Sequence, residues 1–172
     1  NIAIGRESSG ANTTASNLTS VGYFALASNV SGSGLAAFGQ GALQNNTASN
    51  NTALGAVTLQ ANTTGDANTA VGRSALTSNT TGARNTAVGA YALDAVTTSD
   101  QNTAVGYNAL TANTTGTYNT AVGAGALESH TTGNRNTALG RTALNNSTTG
   151  EDNTALGYYA AVQLTTADDN TA

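Results

Sequence analysis

The chain has no cysteine, proline, methionine, tryptophan or lysine among its 172 residues. Without cysteine there is no disulfide framework, although that leaves the compartment open. Charge is scarce too. Only 8% of residues are charged, five arginines against nine acids, for a net charge of −4. That is too little charge for a solvated disordered tail, and there is no basic patch to meet nucleic acid. No apolar run approaches the roughly 18 residues of a membrane span. Aromatics make up 5% of the chain, and alanine supplies much of the 38% hydrophobic content.

What is present is a repeat, the first thing to seek because it decides the fold. The glycine of "NTAVG" recurs at Gly5, Gly22, Gly39, Gly55, Gly72, Gly89, Gly106, Gly123, Gly140 and Gly157. The interval is seventeen residues throughout, except for sixteen between Gly39 and Gly55. The unit is N-T-A-[VL]-G-x-x-A-L-x-x-N-T-T-G-x-x, and its positions are called columns one to seventeen. Ten units and the first three residues of an eleventh fill residues 1–172 as a single repeat array with no room for another domain. The chain opens on "NIAIG" and closes on "NTA", both inside a unit, and is expected to be a segment of a longer fibre.

Seventeen residues cannot hold a helix pair with its turns, and a glycine in every unit would interrupt any helix. Short β-prone pieces between Gly and Asn/Thr clusters fit an all-β parallel solenoid, or β-roll, of about ten coils. One strand is expected at columns one to four and a shorter one around columns eight to eleven. The column-five glycine turns one into the other, with positive φ or close backbone approach. The Asn-Thr-Thr-Gly group makes the return turn. Stacked at roughly 4.8 Å per coil, ten coils give a rod on the order of 48 Å long. Identical columns then form files in which Asn and Thr can bond along the stack.

The candidate core ladder has two columns. Column four is always apolar: Ile4, Val21, Phe38, Leu54, Val71, Val88, Val105, Val122, Leu139 and Leu156. Column nine carries Leu26, Leu43, Leu59, Leu76, Leu93, Leu110, Leu127 and Leu144. Neighbours in a strand point to opposite faces, so column-three Ala and column-four Val or Leu make both faces apolar. One face fills the lumen of the coil and the other must meet a partner. A homo-oligomer is expected, most simply a three-fold bundle with these faces at its axis.

"NTAVGYNAL", "NTAVGAGAL" and "NTALGRTAL", each followed by Thr-Thr-Gly or a close variant, resemble repeats of tail-fibre-like proteins of phages and bacteria. They are also similar to the head repeats of YadA-type trimeric autotransporter adhesins, with "NIAIG" the closest local match. The resemblance implies a left-handed, trimeric β-roll on a virion or cell surface, in an extracellular setting. The seventeen-residue period is longer than the adhesin unit.

Catalysis needs a non-repeating cluster of nucleophile, acid or base, and orienting group, and none stands out against the repeat. His130 is the only histidine; it takes the Asn position of column twelve and is read as a solvent-exposed turn residue. With no second His or Cys beside it, no metal site is expected. Glu151-Asp152 and Asp168-Asp169 share columns in adjacent coils and should repel, with Arg135 offsetting part of that at small gain. They read as solubilising charge, and the Asp-rich nonapeptide of calcium-binding β-rolls is missing. Candidate surface contacts are Tyr23, Tyr91, Tyr107, Tyr158 and Tyr159, since exposed aromatics combine large area with a polar tip.

The expected function is a non-enzymatic structural segment of an extracellular fibre or adhesin, a rigid spacer without cofactor. Its partners are copies of itself and a host-surface glycan or protein. The alternative is an ice-binding solenoid acting through Thr ladders. A carbohydrate-active enzyme would need a carboxylate pair at defined distance, which the sequence does not offer.

Overall fold

The computed structural model describes residues 1–172. Ten strands recur: β1 (Ile2–Ile4), β2 (Leu18–Val21), β3 (Leu35–Phe38), β4 (Thr52–Leu54), β5 (Thr69–Val71), β6 (Thr86–Val88), β7 (Thr103–Val105), β8 (Thr120–Val122), β9 (Thr137–Leu139) and β10 (Thr154–Leu156). They form one parallel sheet whose order follows the chain. Each strand pairs with its equivalent one repeat on, so Val88 lies beside Val105 and Ala87 beside Ala104. Every unit is therefore one turn of a β-solenoid. The sixteen-residue unit keeps register, with Ala37 opposite Ala53. Its missing residue comes out of the outer loop, where Asn46 bonds the carbonyl two residues on instead of three.

The second strand expected around columns eight to eleven is absent, and reverse turns replace it. Ala27 N–H donates to the Phe24 carbonyl at 3.3 Å and Asn79 N–H to the Leu76 carbonyl at 3.2 Å. Columns seven and nine have positive φ, as at Tyr91 (61°) and Leu93 (52°). A positive φ at the third residue is what a type II turn requires, and Gly or Asn normally supplies it. Here leucine does so in coil after coil, although the left-handed region costs an L-residue roughly 1–2 kcal/mol. The fold holds it there because the same residue's N–H reaches the next coil: Leu93 N–H donates to Ala109 O at 3.1 Å. The gain is burial. Column-eight Ala and column-nine Leu are adjacent yet both face the lumen, which an extended strand forbids.

The core is one continuous cluster. The column-nine leucines from Leu26 to Leu144 are fully buried within it, as are Ala53, Ala70, Ala87, Ala104, Ala121 and Ala138 of the strands. Column four does not join it. Ile4 is 60% exposed, Leu54 48% and Leu156 65%, and Phe38 and Leu139 are exposed as well, while Val21, Val71, Val88, Val105 and Val122 are half-buried. That half of the expected core ladder is corrected for the single chain. Alternation forces one of columns three and four outward, and a lumen already filled by leucine leaves room only for the alanine methyl.

Strand pairing is a minor part of the cohesion. Of 111 backbone hydrogen bonds only 20 lie within the strands; the other 91 join turns and loops, mostly to residues of the neighbouring coil.

Candidate functional site

The outward face of the sheet is a regular surface that runs the length of the rod. Columns two and four both point to solvent, giving parallel files of Thr and of Val or Leu. The Thr file runs from Thr52 to Thr154 through seven strands, and Thr171 continues it in a bridge to Thr154. Equivalent residues stand about 4.8 Å apart along the rod, and the two files about 6.7 Å apart across it.

Behind this face run two buried Asn files. In column one the side chain of Asn102 is bonded on both sides. Its Nδ2 donates to Gly116 O at 2.9 Å and its Oδ1 accepts the N–H of Asn119 at 2.9 Å. The same pair of bonds recurs at Asn68, Asn85, Asn119, Asn136 and Asn153. In column twelve, Asn62 Nδ2 donates to Asn46 Oδ1 at 2.6 Å and Asn79 Nδ2 to Asn62 Oδ1 at 2.8 Å. The file then stops, because the next coil carries Val96. Asn79 Oδ1 is consequently buried with no partner. Val96→Asn should supply the missing donor and raise stability by about 1 kcal/mol. An unchanged or lower midpoint in urea would show that the gap is not a defect.

His130 occupies the same column, and the expected exposure is corrected: its side chain is fully buried. Nε2 lies 2.8 Å from Gly133 O and Nδ1 3.3 Å from Ser147 Oγ. Those partners fix the tautomer, with the proton on Nε2 and the serine hydroxyl donating to Nδ1. The ring thus copies the Asn-to-carbonyl bond of its neighbours. Burial pushes its pKa below the ordinary 6.5, with Gly133 O and Glu151 opposing the shift in part. A lowered pKa means that the unfolded chain binds the proton first. Stability from this site is complete above pH 6.5 and is lost as pH falls toward the lower native value. The slope is at most about 1.4 kcal/mol per pH unit. Urea titrations at stepwise pH should show this loss, and His130→Asn should remove it. Identical profiles for the two proteins would contradict the assignment.

The tyrosines are surface features, and three of them meet an arginine one repeat away in the same or the adjacent column. Arg6 lies 5.8 Å from the Tyr23 ring centroid, Arg73 5.5 Å from Tyr91 and Arg141 5.7 Å from Tyr158. Each is a cation over an aromatic on the next coil. Tyr158 and Tyr159 meet edge to face at 4.3 Å. Among the acids, Arg135 grips Asp152 through two bonds, 2.6 and 2.8 Å, and reaches Glu151 at 3.1 Å. The guanidinium bonds hold the Asp152 carboxyl below its usual range. Asp168 takes the Glu151 backbone N–H at 2.7 Å rather than facing its carboxylate. No three His, Asp or Glu side chains converge as metal ligands would.

Comparison with protein-family models, curated proteins and solved structures gives no match to this chain.

Proposed function

We propose that this chain is a stiff structural segment of an extracellular fibre or adhesin, on a virion or cell surface. Three copies associate through the outward faces of their sheets into a left-handed β-roll bundle, and the outer walls offer an attachment surface to a host glycan or protein. Its work is spacing and display, not catalysis. The observation that carries this reading is column four. It faces outward in every coil, yet it is apolar in all ten units, including the exposed Ile4, Leu54 and Leu156. An unpartnered solvent face alternates apolar inside with polar outside, whereas an apolar stripe of this length marks an interface. The likeness of the "NTAVG" units to tail-fibre and YadA-type repeats supports the same reading.

Sedimentation velocity tests it. The chain should run near three times its 16.9 kDa mass. Val105→Asp, on the outward file of β7, should shift it to smaller species by burying carboxylates against one another. A folded monomer for the unaltered chain would overturn the oligomer.

One observation favours a second reading. The sheet sets the column-two Thr file beside the column-four file on a single face, at regular spacing in both directions. Such an array can order water and bind ice. A monomer with thermal hysteresis would select this reading, and a trimer with none would exclude it.

A further inference from the structure

The molecule has a single cavity, a shallow notch of about 180 Å³ on the turn wall away from the sheet face. It arises where the repeat is at its smallest. Columns six and seven read Ala124-Gly125 there, the least bulky such pair of the ten coils, between Tyr107 on one side and Arg141 on the other. Tyr107 is 58% exposed. Arg141 is braced from behind, its Nη1 donating to Tyr158 Oη at 3.1 Å. Glu128 lies among the lining residues and is held in place by two amides. Asn108 Nδ2 donates to its Oε1 at 3.0 Å and Asn145 Nδ2 to its Oε2 at 3.0 Å. Asn145 also donates to Gly125 O at 2.8 Å, so both of its amide hydrogens are spent.

The chemistry of the notch narrows its ligand. The Glu128 carboxylate opposes an anion and the Arg141 guanidinium opposes a cation. A purely apolar ligand would leave both charges desolvated. Among uncharged ligands, one with several hydroxyls and an apolar face suits both groups. Its O–H groups can donate to the free lone pairs of Glu128 and the Asn108 amide oxygen, its ring or hydroxyl oxygen can accept from Arg141, and its C–H face can lie on Tyr107. Tyr107 and Arg141 stand two coils apart, about 9.6 Å. A saturated six-membered ring between them would reach each wall at ordinary contact distances of about 3.5–4 Å. We propose that Tyr107, Ala124, Gly125, Glu128 and Arg141 form a binding subsite for one neutral sugar ring of a glycan. This deepens the attachment reading above and does not depend on the oligomeric state.

Saturation-transfer NMR of the 172-residue chain with glucose, galactose, mannose, N-acetylglucosamine and their disaccharides tests it. At least one neutral sugar should give a signal. Tyr107→Ala should weaken binding about tenfold through loss of the stacking face, and Glu128→Gln should weaken it too. Ala124→Tyr is the decisive variant. Tyrosine already occupies column six at Tyr107 and Tyr158, so the fold should tolerate it, while the notch is filled and binding lost. Sedimentation of Ala124→Tyr should match the unaltered chain, which separates failure of the subsite from failure of the fibre assembly. No signal from any neutral sugar, a signal that survives Ala124→Tyr, or binding of short peptides instead would overturn the proposal.

Discussion

Replacing Gly72 with alanine should cost about 4 kcal/mol or more and lower the melting temperature by roughly 8–16 °C. A methyl group there would sit 2.6 Å from the backbone carbon and oxygen of Gly89 and 3.0 Å from the nitrogen of Ala90. These are backbone atoms of the next coil, held by its own hydrogen bonds, so nothing can step aside. Gly72 also has φ of 125°, a region that residues with a Cβ reach only under strain. The two costs can be separated. Gly157 shares the conformation, with φ of 132°, but as the last of the file it would meet only Ala160 Cβ, at 3.9 Å. Gly157→Ala should therefore retain the strain alone, about 1–3 kcal/mol. Thermal unfolding of the two variants side by side gives the answer. Equal losses would mean that backbone conformation, not contact between coils, fixes glycine in column five.

Much of this fold could be read from period and column character. A glycine every seventeen residues places one strand per coil, and identical columns must stack if each unit is one turn. Three things resisted. The orientation of the strand did, because alternation says that Ala104 and Val105 face opposite ways but not which faces in. A size argument settles it: the lumen already holds Leu110 and Leu93, so it takes the methyl and expels the branched chain. The turns resisted because sequence rules reserve positive φ for Gly and Asn, whereas Leu93 and Tyr91 adopt it under the grip of hydrogen bonds to neighbouring coils. A local rule cannot register bonds made sixteen and eighteen residues away. His130 reads as exposed only when taken as a lone residue. Its column held the signal, since Asn29, Asn46, Asn62, Asn79 and Asn113 recur there with a constancy that loop surface does not need, and all are buried. The notch at Ala124-Gly125 lies in columns that vary freely, so only the structure reveals that a small pair sits between two large ones.

Asn102→Ala should destabilise the chain by about 3 kcal/mol, most of it from one group. Asn102 Oδ1 is the acceptor for the Asn119 N–H, which lies in the buried file and has no water to turn to. Gly116 O loses Asn102 Nδ2 as well, but it keeps the Nδ2 of Asn113 at 2.9 Å and is not orphaned. The cost is therefore one unsatisfied buried donor plus the void left by the amide. Thr103→Ala one residue away faces outward and should change stability by no more than about 0.5 kcal/mol. Asn102→Asp gives a sharper contrast. A carboxylate still accepts from Asn119, but its second oxygen would face the carbonyls of Gly116 and Asp100 where the amide donated. Burial, with that second oxygen set against carbonyls, raises the carboxyl's native pKa. Asn102→Asp should then be less stable than Asn102→Ala at neutral pH and recover as pH falls, because protonation removes the buried charge and restores a donor. Urea midpoints at neutral and acid pH decide between these accounts. If Asn102→Ala were as mild as Thr103→Ala, the coils would be held by the leucine lumen and the turn-to-turn backbone bonds alone, and the Asn file would be a passenger of the repeat.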